Sequence, residues 1–168
     1  QRRHMQMVFQ DPLGSLDPRQ TVEQLLLEGM QAHGMVKGGG QAARDRLIEL
    51  LTAVGLPRTA LSKYPHEFSG GQRQRVGIAR ALMVSPKVLI CDEPVSALDV
   101  SIQAQVLDVF ADVQEQLGLA MVFISHDLSV VNHISDRVLV MKDGRVVEEG
   151  TTDEIFRSPQ HAYTQQLQ

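Results

Sequence analysis

Cysteine is almost missing from this chain: Cys91 is the only one in 168 residues. That excludes an intrachain disulfide and any multi-cysteine metal site, and it fits a reducing compartment, so a cytosolic location is the default expectation. An excess of positive charge is missing too, because 16 Lys+Arg against 20 Asp+Glu leave a formal net charge of −4. Neither a broad nucleic-acid footprint nor a basic membrane-surface patch is favoured. No long apolar run is present: the longest, residues 119–124, falls far short of the roughly 20 residues a membrane-spanning helix needs, and Arg2-Arg3 leads into no apolar signal core. A phosphate-cradling G-x-x-x-x-G-K-[ST] loop is also absent, since Lys37-Gly38-Gly39-Gly40 is followed by Gln41. The chain opens on Gln1 and passes almost at once into an apolar segment, which is expected of a fragment that begins inside a domain.

The 43% hydrophobic content supplies one sizeable core for a single-domain length. Residues 5–9 alternate as a strand would, and Asp11-Pro12, Gly14-Ser15 and Asp17-Pro18 then mark turns, which puts Gln10 at a strand exit. A helical pattern from Thr21 places Val22, Leu25, Leu26 and Met30 on one face. A second, from about Gln41, does the same for Leu47, Leu50, Leu51 and Val54 and is closed by Gly55 and Pro57. The glycine-rich connector 34–40 is expected to be a loose link. Beyond Pro65 the style changes to alternation: a helix over 69–83, an apolar run 88–91, a helix over 101–117 and a second run 119–124. Continuous apolar runs separated by helices predict an α/β core with a parallel sheet covered on both faces. Two short strands around Asp143-Gly144 read as a hairpin, and Thr151 or Thr152 caps a last short helix. The scattered methionines, Met7 and Met141 among them, are expected in core packing.

Three clusters carry chemistry. Ser69-Gly70-Gly71-Gln72 is a capping box whose two glycines leave first-turn amides uncovered, so an anion could approach the positive helix end; an ordinary capped helix is the bland alternative. Val88-Leu89-Ile90-Cys91-Asp92-Glu93-Pro94 ends a strand in two carboxylates and a proline, at the strand end where ligands of open α/β sheets bind; a solvated acidic turn is its alternative. Ser125-His126-Asp127 follows the next strand. Three consecutive residues point to alternate faces and cannot form a hydrolase relay, which leaves His126 as a phosphate or water contact or as a neighbour of a capping Asp127. Arg73, Arg75 and Arg80 are expected on a solvated helix face.

The order of these clusters resembles the ATP-binding subunit of ATP-binding-cassette (ABC) transporters. In that resemblance Val8-Phe9-Gln10-Asp11 looks like the Q-loop, residues 68–72 the signature motif, 88–93 the Walker B strand with its glutamate, Ser96-Ala97-Leu98-Asp99 the D-loop, and His126 the switch histidine. Tyr64-Pro65-His66-Glu67-Phe68 and the tail Ser158-Pro159-Gln160-His161-Ala162-Tyr163-Thr164 are similar to the di- and oligopeptide importers, whose relatives also carry nickel or glutathione; the usual tail has a proline where Ala162 stands.

The resemblance implies a P-loop-NTPase-like core with flanking helices, divided into a helical subdomain over 11–68, a signature, Walker B and switch region over 69–150 and a helical tail over 151–168. It implies ATP and Mg²⁺ as ligands, with Asp92 and Gln10 at the metal, Glu93 polarising the attacking water and His126 at the γ-phosphate. Ser69, Gly70, Gly71 and Gln72 would serve the partner's nucleotide, and Asp99 would brace the dimer. The implied partners are a second ABC ATPase subunit, membrane permease subunits and, indirectly, a solute-binding protein. The implied place is the cytoplasmic face of a bacterial inner membrane. A soluble ABC ATPase acting on DNA or ribosomes, and a non-catalytic docking remnant, stand as the other readings. In the family the phosphate loop precedes the Q-loop. The gene upstream of Gln1 is therefore expected to encode an aromatic followed by G-x-x-x-x-G-K-[ST], and sequencing the locus checks it; a reading frame that starts near Gln1 would favour the remnant.

Overall fold

The computed structural model describes residues 4–10, 14, 17–35 and 40–168; the expected turn at Asp11-Pro12, Ser15, and residues 36–39 of the connector lie outside the described residues. The chain divides into two units, Gln1–Ile124 and Ser125–Gln168.

The first unit is built on three parallel strands, β1 (Met5–Val8), β2 (Val88–Asp92) and β3 (Ala120–Ile124), in the order β1-β2-β3. Val8 pairs with Cys91 and Cys91 with Phe123, so the three strands end together at one edge. Four helices accompany them: α1 (Val22–Ala32), α2 (Gln41–Ala53), α3 (Gly70–Leu82) and α4 (Val100–Leu117). Three of them start or stop where local chemistry dictates. Thr21 and Gln24 form a capping box at α1, Ser69 and Gln72 another at α3, and Gly118 ends α4 in the left-handed conformation at φ 63°. The expected apolar faces of α1 and α2 are buried, apart from Leu25, which is half-buried.

Helices α3 and α4 pack on the sheet face that carries Val8, Leu89, Cys91 and Phe123; Phe110 of α4 meets the Phe123 ring edge-on, with centroids 5.6 Å apart. The sequence pattern predicts helices on both faces. The structure instead leaves the face bearing Met5, Met7, Val122 and Ile124 about half exposed, while α3 and α4 lie against the other side. Met7 is thus no core residue, and neither is Met141 of the second unit. Among the described residues no helix is long and apolar enough to cross a membrane.

The second unit holds α5 (Leu128–Ile134), the antiparallel pair β4 (Arg137–Lys142) and β5 (Arg145–Thr151), and two closing helices where one was expected, α6 (Thr152–Arg157) and α7 (Ala162–Leu167). Asp143 and Gly144 both take positive φ, 51° and 76°, which is the tight primed turn that an Asp-Gly pair predicts. The tail is tied to the hairpin by Glu148 of β5, whose Oε1 accepts from the amides of Gln160 (2.6 Å) and His161 (2.7 Å), and by Lys142, whose ammonium lies 4.9 Å from the Tyr163 ring centroid.

Desolvation would raise the Glu148 carboxyl, but the amide bonds from His161 and Gln160 prevail and hold it below its usual 4.5. A carboxyl lowered in the folded state stabilises above the unfolded value and loses that contribution as pH falls through the folded one. The anchoring of the tail is therefore expected to weaken as pH drops below about 4.5, read from the Gln160 and His161 amide resonances, and Glu148→Gln should flatten that part of the titration. Resonances that stay put through this range in the unsubstituted protein would show that the carboxylate does not hold the tail.

Candidate functional site

Because β1 and β2 are parallel neighbours in register, the segments that leave them emerge side by side. Gln10 stands two residues beyond the end of β1 and is exposed; Asp92 is the last residue of β2 and Glu93 the first beyond it, both half-buried. The structure thus brings Gln10, Asp92 and Glu93 to one sheet edge, outside the carboxyl ends of the strands.

Glu93 has φ 50°, in the left-handed region that a glutamate rarely adopts and that costs about 1–2 kcal/mol. Its neighbours impose the conformation. The Glu93 amide donates to the Ile124 carbonyl at 2.9 Å, and the Glu93 carbonyl accepts from Ser96, through the hydroxyl at 3.0 Å and the amide at 3.4 Å. The strand pattern of residues 88–92 carries no signal of this reversal.

At α3 the expected capping box is present: Ser69 Oγ accepts from the Gln72 amide at 3.3 Å and Gln72 Oε1 accepts from the Ser69 amide at 3.1 Å. The box occupies the Gln72 amide, and those of Gly70 and Gly71 sit in the first turn, where no helical carbonyl is in reach. Both glycines also have a packing reason that the sequence does not reveal. A Cβ on buried Gly71 would stand 2.5 Å from Ile102 Cγ2 of α4, and one on Gly70 would stand 3.0 Å from Leu98 Cδ2. The missing side chains let α3 close against α4, whatever approaches from outside.

Arg73 and Arg75 are not on a solvated face. Both are half-buried, Arg73 Nε donating to the Pro65 carbonyl (3.0 Å) and Arg75 Nη1 to that of Gly55 (3.3 Å), so they tie α3 to the preceding loops. Asp99 takes the N-cap position of α4 but its carboxylate makes no cap bond, and the residue is exposed. Cys91 is fully buried, and desolvation pushes its thiol up to about 12, which makes it an inert core residue.

His126 belongs to the second unit, exposed, just before α5. Its neighbours are committed to capping. Asp127 Oδ1 accepts from the Ser129 hydroxyl (2.6 Å), the Ser129 amide (2.9 Å) and the Val130 amide (3.5 Å), and Ser125 Oγ accepts from the Asp127 amide (3.0 Å). The Ser129 hydroxyl bond, outweighing desolvation, lowers the Asp127 carboxyl. This local network disposes of a Ser-His-Asp relay.

Among the described residues no three His, Cys, Asp or Glu side chains gather as a metal cage.

Residues 1–96 match the protein-family model described as ABC transporter. The chain belongs to that family. The relatives are similar over nearly its whole length. It is 54% identical to the oligopeptide transport ATP-binding protein OppF of Salmonella typhimurium over 166 residues, which is 99% of this chain and 49% of that protein. It is 55% identical to OppD of Mycobacterium bovis, again over 99% of this chain but 27% of the relative. Among solved structures, CbiO1 of Clostridium perfringens, part of the ABC transporter complex CbiONQ, superposes with a TM-score of 0.82 at 33% identity, over 93% of this chain and 60% of that one. The ABC chain described here therefore spans about half the length of OppF.

One buried polar residue escapes motif reading: Gln74, which is 1% exposed on the inner face of α3. A lone amide on an otherwise apolar buried helix face is the signal that points to it.

The contact beneath Gly71 has a measurable consequence. Gly71→Ala is expected to destabilise the first unit by about 1–3 kcal/mol through overpacking, and Ile102→Ala in the same protein to recover part of that loss. Denaturant midpoints of the single and double variants check this; a Gly71→Ala midpoint equal to the unsubstituted one would show that α3 and α4 do not need the glycine.

Proposed function

We propose that the complete gene product is the ATP-binding and ATP-hydrolysing subunit that energises an importer of peptides or related small solutes. The observation that carries this reading is the common exit of Gln10 and Asp92-Glu93 at one edge of a parallel sheet, in a chain of the ABC family whose relatives include oligopeptide transport ATP-binding proteins. On this reading Asp92 and Gln10 would hold Mg²⁺, and the ion would supply positive charge to neutralise the phosphates. Glu93 accepts a hydrogen bond from the water that attacks the γ-phosphorus, so that the new P–O bond forms as the bond to ADP breaks. His126 contacts the γ-phosphate.

Ser69, the amides of Gly70 and Gly71, and Gln72 present the positive end of α3 to the nucleotide held by a second ABC ATPase subunit, and the uncommitted carboxylate of Asp99 braces that dimer. Splitting the site across two subunits makes ATP part of the interface, and its hydrolysis releases them. The surface of residues 11–68 receives a membrane permease subunit, a solute-binding protein acts indirectly through the permease, and the subunit is peripheral on the cytoplasmic face of a bacterial inner membrane. The net charge of −4 argues against a nucleic-acid partner.

In the complete gene product Glu93→Gln is expected to retain ATP binding while slowing hydrolysis by about 10²- to 10⁴-fold, because the amide keeps the shape and the hydrogen bond but lacks the charge that polarises the water. ATP-bound dimers should accumulate on size-exclusion chromatography. Turnover near that of the unsubstituted protein would remove Glu93 from this role.

A further inference from the structure

Gln74 reaches from the second turn of α3 to the two strand exits. Its Nε2 donates to the Phe9 carbonyl at 3.1 Å and to the Pro94 carbonyl at 2.7 Å. Both partners are acceptors, so only the NH₂ end of the carboxamide can face them, and its orientation is fixed by chemistry. The two carbonyls lie past the ends of β1 and β2, where the ladder no longer supplies donors. Each is one peptide removed from a residue of the proposed hydrolysis site. The Phe9 carbonyl shares a rigid peptide plane with the Gln10 nitrogen. The Pro94 ring locks its own φ, so a held Pro94 carbonyl constrains the backbone back to Glu93.

The cost of this arrangement is visible: Gln74 Oε1 is buried with no hydrogen-bond partner among the described residues. An apolar residue would fill the position without an orphaned oxygen. We propose that Gln74 is a positioning residue for ATP hydrolysis, a buried bracket that sets Gln10 and Glu93 at a fixed separation across the exits of β1 and β2. The inference rests on the hydrolysis reading above. It adds a link between α3 and both site strands, through which a shift of that helix reaches Gln10 and Glu93 together. Gln103 of α4 provides an internal comparison. Its Nε2 also grips two carbonyls, those of Val95 (2.9 Å) and Leu98 (3.0 Å), but both belong to the loop after Glu93 and neither to the exit of β1.

The test uses the complete gene product with Gln74→Met, which keeps the length and bulk of the side chain and removes the donor. Steady-state hydrolysis of Mg-ATP is expected to show kcat lowered about 10- to 100-fold, as for a misplacement of reacting groups, with KM for ATP within about threefold of the unsubstituted value. Amide exchange followed by mass spectrometry should quicken in peptides covering Phe9-Gln10 and Glu93-Ser96 and not in α1 or α2. Gln103→Met should quicken exchange only after Glu93. Should Gln74→Met not fold, Gln74→Asn keeps the donor on a shorter arm and carries the same test at smaller amplitude. A folded Gln74 variant with unchanged kcat, or with unchanged exchange at Gln10, overturns the proposal. An unsubstituted protein that binds but does not hydrolyse ATP overturns the hydrolysis reading instead, and the exchange measurement then still decides whether Gln74 brackets the two exits.

Discussion

Helix α3 is buried along nearly its whole length, with Val76, Ile78, Ala79, Ala81 and Leu82 among the sheet and helices around it and Gly71 and Gln74 nearer its start. That burial is the constraint on which the first unit depends. A helix seated so deeply needs close approach at its entrance, and the glycine facing Ile102 permits it. It also needs its outward tethers, because α1 and α2 pack against it: Arg73 and Arg75 fasten it to the Pro65 and Gly55 carbonyls. The capping box at Ser69 then fixes where its positive end opens.

The same helix explains how a strained residue persists next to it. A glutamate in the left-handed region is unfavourable, and the hydrogen bonds of its backbone to Ile124 and Ser96 must help outweigh that cost. They can do so only if the following loop stays in place. Gln74 and Gln103, from two different helices, together hold the carbonyls of Pro94, Val95 and Leu98. The loop after β2 is irregular in dihedral angles but well supplied with partners, and a loop so supplied is positioned, not slack. Strain at a single residue and rigidity around it belong to one arrangement.

In the second unit the balance is different. Asp127 caps α5 and Thr151 and Glu154 box α6 locally, while Glu148 reaches 12 and 13 residues on to gather the amides that precede α7. The exposed apolar side chains of its hairpin, Leu139, Met141 and Val146, show that this hairpin contributes little core of its own. Local caps and a short ladder therefore carry more of the order here than burial does.

Local chemistry is legible in the sequence because its determinants lie within a few residues of one another. The capping box at Ser69 and Gln72, the Asp-Gly turn, the strand exits at Gln10 and Asp92 and the alternation of apolar runs with helices were all determined by neighbours in the chain, and so was the order of motifs that marks the family. Contacts across the fold were decided only by tertiary structure. Gln74 meets carbonyls 65 and 20 residues away, Gly71 matters because of Ile102 on another helix, and Glu93 turns left-handed because the end of β3 offers its amide an acceptor. Periodicity says which face of an element is apolar; it does not say what stands opposite. That is why Met7 is expected in core packing and lies half exposed, while Gln74, a residue no motif singles out, lies buried.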